Sequence, residues 1–184
     1  MHLINPNLFV VSGGPGAGKT TVLLELASRG YCFAPEVARE IIREELRSSG
    51  TALPWKDREA YTLLMLERSV KSYLSHTPTP RPTFSDRGIP DTLCYAQLIG
   101  LTNQESIRDA CCQYRYASVV FLAPPWREIY ETDTERKQDF AEAERTFERM
   151  VQVYRECGYT ISELPRTEPP ARADFILEQI QLDL

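Results

Sequence analysis

Residues 13–20 read Gly13-Gly14-Pro15-Gly16-Ala17-Gly18-Lys19-Thr20, with Thr21 following, and match the spacing G-x-x-x-x-G-K-[ST] throughout. Each residue type has a physical reason to be there. Glycines let successive backbone N–H groups turn inward and approach phosphate oxygens with no Cβ in the way. A helix opening at Lys19 would aim its positive end at the same oxygens. Lys19 would neutralise the β- and γ-phosphates of a nucleotide, and the Thr20 hydroxyl would hold Mg²⁺. The stretch is thus a P-loop, with ATP the default ligand and GTP the other candidate. What remains to be read is whether the phosphate is moved to a second molecule, given to water or only sensed.

Such a loop needs a strand to deliver it and a helix to receive it. "LFVVSG" before the loop is a short continuous apolar run, the sign of a strand buried on both faces. After it, Val22, Leu23 and Leu26 recur at helical spacing until Gly30. The same alternation runs along the chain. Strands are expected at Tyr31–Ala34, Thr83–Asp86, Ser118–Ala123 and Tyr159–Leu164. Helices are expected from Pro35 to about Ser49 with Val37, Ile41 and Leu46 inward, from near Asp57 to Leu74, and from Pro90 to Ile99. Another should open with a Thr102/Glu105 capping box, and a long one carries Phe140, Phe147, Met150 or Val151, and Tyr154 before stopping at Gly158. A last one covers roughly Arg172 to Leu182. Strands alternating with helices imply an α/β fold: a three-layer α/β/α P-loop NTPase with a mainly parallel five-stranded sheet. The proline-rich "HTPTPRPT" at 76–83 is too short to link domains, so residues 1–184 read as one domain with a lid segment at about 126–139.

Composition narrows the classes. At 184 residues, 42% hydrophobic and 26% charged, the chain suits one soluble domain. A net charge of −5 argues against general nucleic-acid binding. No apolar run approaches the ~20 residues of a membrane span, and "MHLINPN" does not open a signal peptide. The five cysteines form no CxxC and read as reduced, mostly buried thiols of a cytosolic protein. With only His2 and His76, a zinc site is not expected.

A P-loop needs a carboxylate on a neighbouring strand to complete its metal site. Asp86 in "TFSDRG" and Glu36 in "YCFAPEVARE" both stand at strand ends, whereas "SVVFLAPP" ends without an acid. Asp86 is the stronger candidate, its competing role being a helix N-cap; Glu36 could equally be an acid favoured by the dipole in a helix's first turn. Phosphoryl transfer also builds negative charge that cations must meet. Arg127, Arg136 and Lys137 in "PPWREIYETDTERKQ" lie where a lid would carry them, with Trp126 and Tyr130 able to seal its edge. Thr132 and Glu135 could cap the following helix, placing Arg136 and Lys137 in its first turn. An ordinary solvated face is the alternative for these cations.

"PEVAREIIREE", "FSDRGIPDTLCYA", "PWREIYETDTERK" and "ELPRTEPPARADFIL" together resemble the P-loop kinase-like domain of the NadR type, the ribosylnicotinamide-kinase domain and its relatives grouped under the AAA label. More distantly the chain is similar to deoxynucleoside and thymidylate kinases. The resemblance implies that Glu36, Asp86 and Arg87 line a phosphate-acceptor pocket, with Arg39 one helical turn beyond Glu36. It also implies that Arg136 is a lid arginine and that Asp133 matches the acid three residues before it. It does not name the acceptor, because the richer acceptor signatures of those kinases are missing. The chain is too short for a ring-forming motor with a helical lid domain, and lacks a hydrophobic strand ending in Asp-Glu. A GTPase would carry DxxG and N/T-KxD, and a transporter ATPase an LSGGQ-like signature; none is found. Two functions stand: an Mg-dependent small-molecule kinase, and a nucleotide-dependent switch or slow NTPase acting on a protein or lipid partner.

Overall fold

The computed structural model describes residues 2–129 and 140–182. In chain order the elements are β1 (Leu3–Ile4), β2 (Leu8–Gly13), α1 (Lys19–Ser28), β3 (Cys32–Ala34), α2 (Val37–Ser48), α3 (Arg58–Ser75), β4 (Thr83–Asp86), α4 (Ile89–Leu98), α5 (Glu105–Gln113), β5 (Tyr114–Arg115), β6 (Val119–Ala123), a 3₁₀ turn (Arg127–Ile129), α6 (Phe140–Glu156), β7 (Thr160–Glu163) and α7 (Pro169–Leu182). Five strands form a parallel sheet in the order β3-β4-β2-β6-β7, so the strand that carries the loop is central. All five are among the strands the apolar runs predict. The two-residue β1 and β5 pair separately, too short for any sequence pattern to announce.

The two sides of the sheet follow from side-chain alternation. Leu8, Val10, Val120 and Leu122 pack with α4, α5 and α6, through Leu93, Ile107, Val153 and Tyr154. Phe9, Val11, Phe121 and Ala123 pack with α1 and α7, through Val22, Leu23, Leu26, Ala173 and Ile176. A full burial of each such side chain is worth ~1.5–3 kcal/mol. α2 and α3 make a satellite layer in which Ile41, Tyr61 and Met65 meet, with Tyr95 of α4 packed against them.

Four details differ from the sequence expectation. Leu46 is 57% exposed: the inner face of α2 centres on Ala38, Ile41 and Ile42, and the next inward position holds Glu45, whose carboxylate accepts the Ala52 N–H at 2.9 Å. Thr102 does not cap α5. Leu101 N–H closes on Ala96 and Gln104 Nε2 on Leu101, so residues 101–104 form a turn of their own and the helix opens at Glu105. α7 opens at Pro169 rather than Arg172, since proline is tolerated in a helix's first turn. The cysteines are free thiols, but only Cys94 and Cys111 are buried, while Cys32 and Cys112 are exposed. No helix among the described residues is long and apolar enough to cross a membrane.

Candidate active site

β2 ends at Gly13, whose φ of 140° and contact with β6 leave no room for a side chain: a Cβ would run into the Ala123 carbonyl oxygen. The chain then turns to Gly18, which caps α1 at φ 77°. There a Cβ would stand 2.7 Å from the Arg172 guanidinium. Lys19 turns back over the loop and its Nζ donates to the Gly14 carbonyl at 2.9 Å. The Lys19 side chain is buried, and its pKa falls to about 8, first through burial and then through the like charge of Arg87. Asp86, Glu36 and Asp91 pull the other way. Thr20 lines an open cleft of ≈ 360 Å³ beside the loop, together with Gly16, Gly18, Lys19, Glu36 and Arg39. Thr21 lines the same cleft, but its hydroxyl is committed to the Gly18 carbonyl at 2.7 Å.

The acids come from the two strands next in line. Val11 pairs with Asp86 and Ala34 with Ser85, so the residues after β2, β3 and β4 emerge side by side. Arg87 Nε donates to Glu36 Oε1 at 2.7 Å, and Arg39 Nε lies 3.2 Å from Glu36 Oε2. Glu36 precedes α2 without a side-chain capping bond; its carboxylate goes to the arginines instead. Burial opposes its ionisation, but Arg87 and Lys19 prevail and hold its pKa below the ordinary value. Arg87 is likewise desolvated, yet Glu36 and Asp91 keep it firmly protonated. Its backbone sits at φ 72°, a region costly for a residue with a side chain, held there by Ser85 Oγ donating to its carbonyl at 2.7 Å.

Asp86 is not the N-cap of α4; Gly88 occupies that position. The Asp86 carboxylate is 9% exposed and its Oδ1 has no hydrogen-bond partner. Burial raises its pKa, against the pull of Lys19. A buried, unpartnered carboxylate oxygen beside a P-loop lysine is a polar atom left open for a ligand.

Two residues of the site carry no motif in the sequence. Asp91 is buried and accepts from Ser12, Arg87, Gly88 and Tyr154; its only sequence signal is the i,i+4 spacing from Arg87. Arg172 of α7 is 1% exposed and donates to the carbonyls of Ala17 (3.0 Å) and Pro165 (2.9 Å), with its guanidinium 5.9 Å from the Trp126 ring. Nothing local to residue 172 announces that contact, which depends on α7 packing beside α1. In the segment expected to form a lid, Trp126 and Ile129 line the cleft, and Arg127 lies 4.5 Å over the Phe140 ring. Tyr130, Thr132, Asp133, Glu135, Arg136 and Lys137 fall outside the described residues.

Comparison with known proteins agrees with this fold. The family model described as AAA domain matches residues 8–172. No curated protein sequence matches the chain. Among solved structures, NadR protein in complex with NR superposes with a TM-score of 0.71 at 21% identity, over 95% of this chain and 50% of that one; the chain thus spans about half of NadR's length. Thymidylate kinase from Ehrlichia chaffeensis gives 0.60 at 14% identity, covering 96% and 99% of the two chains. Shikimate kinase from Acinetobacter baumannii gives 0.54 at 20%, covering 97% and 94%. At these identities the likeness is one of fold, and the fold is that of P-loop kinases. The family match leads to one assignment: the chain belongs to the AAA domain family, and its fold is that of the P-loop kinases it superposes on.

Proposed function

We propose that the chain is a phosphotransferase that moves the γ-phosphoryl of ATP onto a small nucleoside- or nucleotide-like acceptor, with GTP the other candidate donor. The observation that carries this reading is the convergence of Lys19, Glu36, Arg87 and the open Asp86 oxygen at the ends of three adjacent strands. A protein that only sensed nucleotide would need the loop and one metal-binding acid; it would not need a second acid paired with an arginine beside them.

In this reading the backbone N–H groups of residues 14 and 16–19 and the Lys19 ammonium hold the β- and γ-phosphates. Glu36 fixes the Arg87 guanidinium, which meets charge as it develops on the transferred group. Asp86, with its pKa raised, accepts the proton of an acceptor hydroxyl. The open Asp86 oxygen and the Thr20 hydroxyl also fit Mg²⁺, which such sites bind through one or two protein oxygens and the nucleotide's phosphates. Mg²⁺ held there would neutralise charge that develops on the phosphates during transfer. By sequence pattern, Arg127, Arg136 and Lys137 of segment 126–139 join the same set of cations.

The test is release of ADP from Mg-ATP or of GDP from Mg-GTP, alone and with a panel of nucleosides, nucleotides and hydroxylated acids. Strong stimulation by one compound, with the phosphorylated product found by mass spectrometry, is the expected result. Slow turnover that no acceptor stimulates, coupled to a nucleotide-dependent change in protease sensitivity, would replace the kinase with a switch.

A further inference from the structure

Beneath the acid–arginine pair lies a buried carboxylate that the reaction as proposed does not use. Asp91, 6% exposed, stands in the first turn of α4 and is filled by donors from four places. Ser12 Oγ of β2 donates to Oδ1 at 2.5 Å, and Arg87 Nη1 reaches the same oxygen at 3.4 Å. The Gly88 N–H donates to Oδ2 at 2.8 Å, and the Tyr154 hydroxyl of α6 to that oxygen at 2.5 Å. The carboxylate therefore grips the loop-bearing strand, the turn that carries Arg87, the Arg87 side chain and a helix from the far end of the chain.

The partners are unusually committed. Tyr154 is fully buried. Removing its hydroxyl's acceptor would leave an unsatisfied donor in the core. The main chain at Gly88 has no slack either: a Cβ there would meet Val10 at 3.0 Å, Tyr154 Oη at 3.2 Å and Tyr116 at 3.3 Å. Arg87 is held at φ 72° between these groups and Glu36. An arginine meant to meet transient charge gains from such fixing, because little reorganisation is left for the moment of reaction.

We infer that Asp91 is the positioning residue of Arg87, and that through the Tyr154 hydroxyl it makes the setting of Arg87 depend on α6. Asp91 touches no reacting group; it acts through the guanidinium and the Gly88 turn. The inference rests on the phosphotransfer reading only for its catalytic consequence. The positioning itself can be measured without an acceptor.

The experiment is residue-resolved labelling of the intact chain with phenylglyoxal, which attacks guanidino groups, followed by peptide mass spectrometry at residue 87. Arg47, exposed near the end of α2, serves as the internal reference. In the wild type, Arg87 should label slowly relative to Arg47. In Asp91→Asn, which keeps the shape and removes the charge, the Arg87 rate should rise several-fold. Tyr154→Phe deletes one hydroxyl that donates to Asp91 and not to Arg87, and should also raise the Arg87 rate while leaving Arg47 unchanged. If Asp91→Asn does not fold, Tyr154→Phe alone decides. Unchanged Arg87 labelling in the folded variants overturns the inference, whatever the enzyme proves to do. With a stimulating acceptor in hand, Asp91→Asn should lower kcat and raise the acceptor KM while keeping the Mg-ATP thermal shift. A merely structural role would lower Tm and leave kcat per folded molecule intact. A failure of every acceptor in the panel would sink the kinase reading and leave the labelling result standing.

Discussion

Glu36 and Arg87, 51 positions apart in the chain, are joined by a 2.7 Å hydrogen bond between Arg87 Nε and Glu36 Oε1, and both side chains are largely withdrawn from solvent. The pair spans the ends of two adjacent strands, so it fixes the geometry of the proposed catalytic corner and adds to the stability of the fold. Those two contributions can be separated by pH.

Glu36→Gln should lower stability at neutral pH by about 1–3 kcal/mol, the cost of leaving a desolvated guanidinium short of its charged partner. The folded state depresses the Glu36 pKa, so its contribution is present above the ordinary value of 4.5 and is lost as pH falls through the lower folded value. Urea denaturation of wild type and variant should therefore differ at pH 7 and converge in acid. A difference that stays constant with pH would show that the Glu36 charge is not what holds the pair.

The outline of this site was readable from the chain because its parts are local. The loop motif, the apolar runs that end at Gly13, Ala34 and Asp86, and the polar residues just past them are features of contiguous sequence. Since parallel strands align their ends, placing strands placed the candidates. Asp91 and Arg172 were not readable, because their roles depend on distant partners. Asp91 looks like a first-turn acid until Ser12 and Tyr154 are brought to it by sheet and helix packing. Arg172 looks like a surface cation until α7 lies against α1 and its guanidinium reaches Ala17. Leu46 fails in the opposite sense: helical periodicity assigned it a face, but Glu45 is drawn inward to hold the Ala52 N–H, and Leu46 is left outside.

Asp86→Asn should stabilise the ligand-free protein and abolish its chemistry. Burial raises the Asp86 pKa above its ordinary value of 3.8. A raised carboxyl contributes stability below its unfolded pKa and loses it as pH rises through the folded value, so at neutral pH the charge is a liability. Removing it should raise Tm by several degrees, at ~2–4 °C per kcal/mol for a chain of this size. The advantage should vanish in acid, and acceptor-stimulated turnover should drop about 10²-fold or more. A variant with lower Tm and normal turnover would assign Asp86 to structure and move the acid role to Glu36.

Arg172→Met should weaken nucleotide binding more than it weakens the fold. The side chain places a cation in the interior with Nη2 unpartnered, and burial lowers its pKa, so removing the charge relieves a desolvation cost. Losing the bonds to Ala17 and Pro165 works against that gain. The net change in Tm should be small. The loop, released at Ala17, should bind Mg-ATP about tenfold less tightly, equivalent to ~1.4 kcal/mol by calorimetry. Unchanged affinity with a large loss of Tm would make Arg172 a purely structural strut.

Lys19 ties the pH dependence of binding to the loop itself. In the free protein its pKa is lowered to about 8, because burial and the Arg87 charge both disfavour the ammonium. In the unfolded chain it would sit near 10.5. A lowered lysine makes the free fold relatively more stable as pH rises from the folded value towards the unfolded one. Phosphate oxygens reverse the preference, since they stabilise the ammonium and offer it partners in place of the Gly14 carbonyl. Binding Mg-ATP above pH 8 must then take up a proton at Lys19, and affinity should fall by up to about tenfold per pH unit. Titrations from pH 7 to 9.5, run in two buffers of different ionisation enthalpy, would read both the affinity and the proton uptake. Lys19→Ala should bind weakly at every pH, with no uptake step and little thermal stabilisation by Mg-ATP. If wild type and variant lose affinity in parallel as the pH rises, or if ATP stabilises both equally, Lys19 does not hold the phosphates.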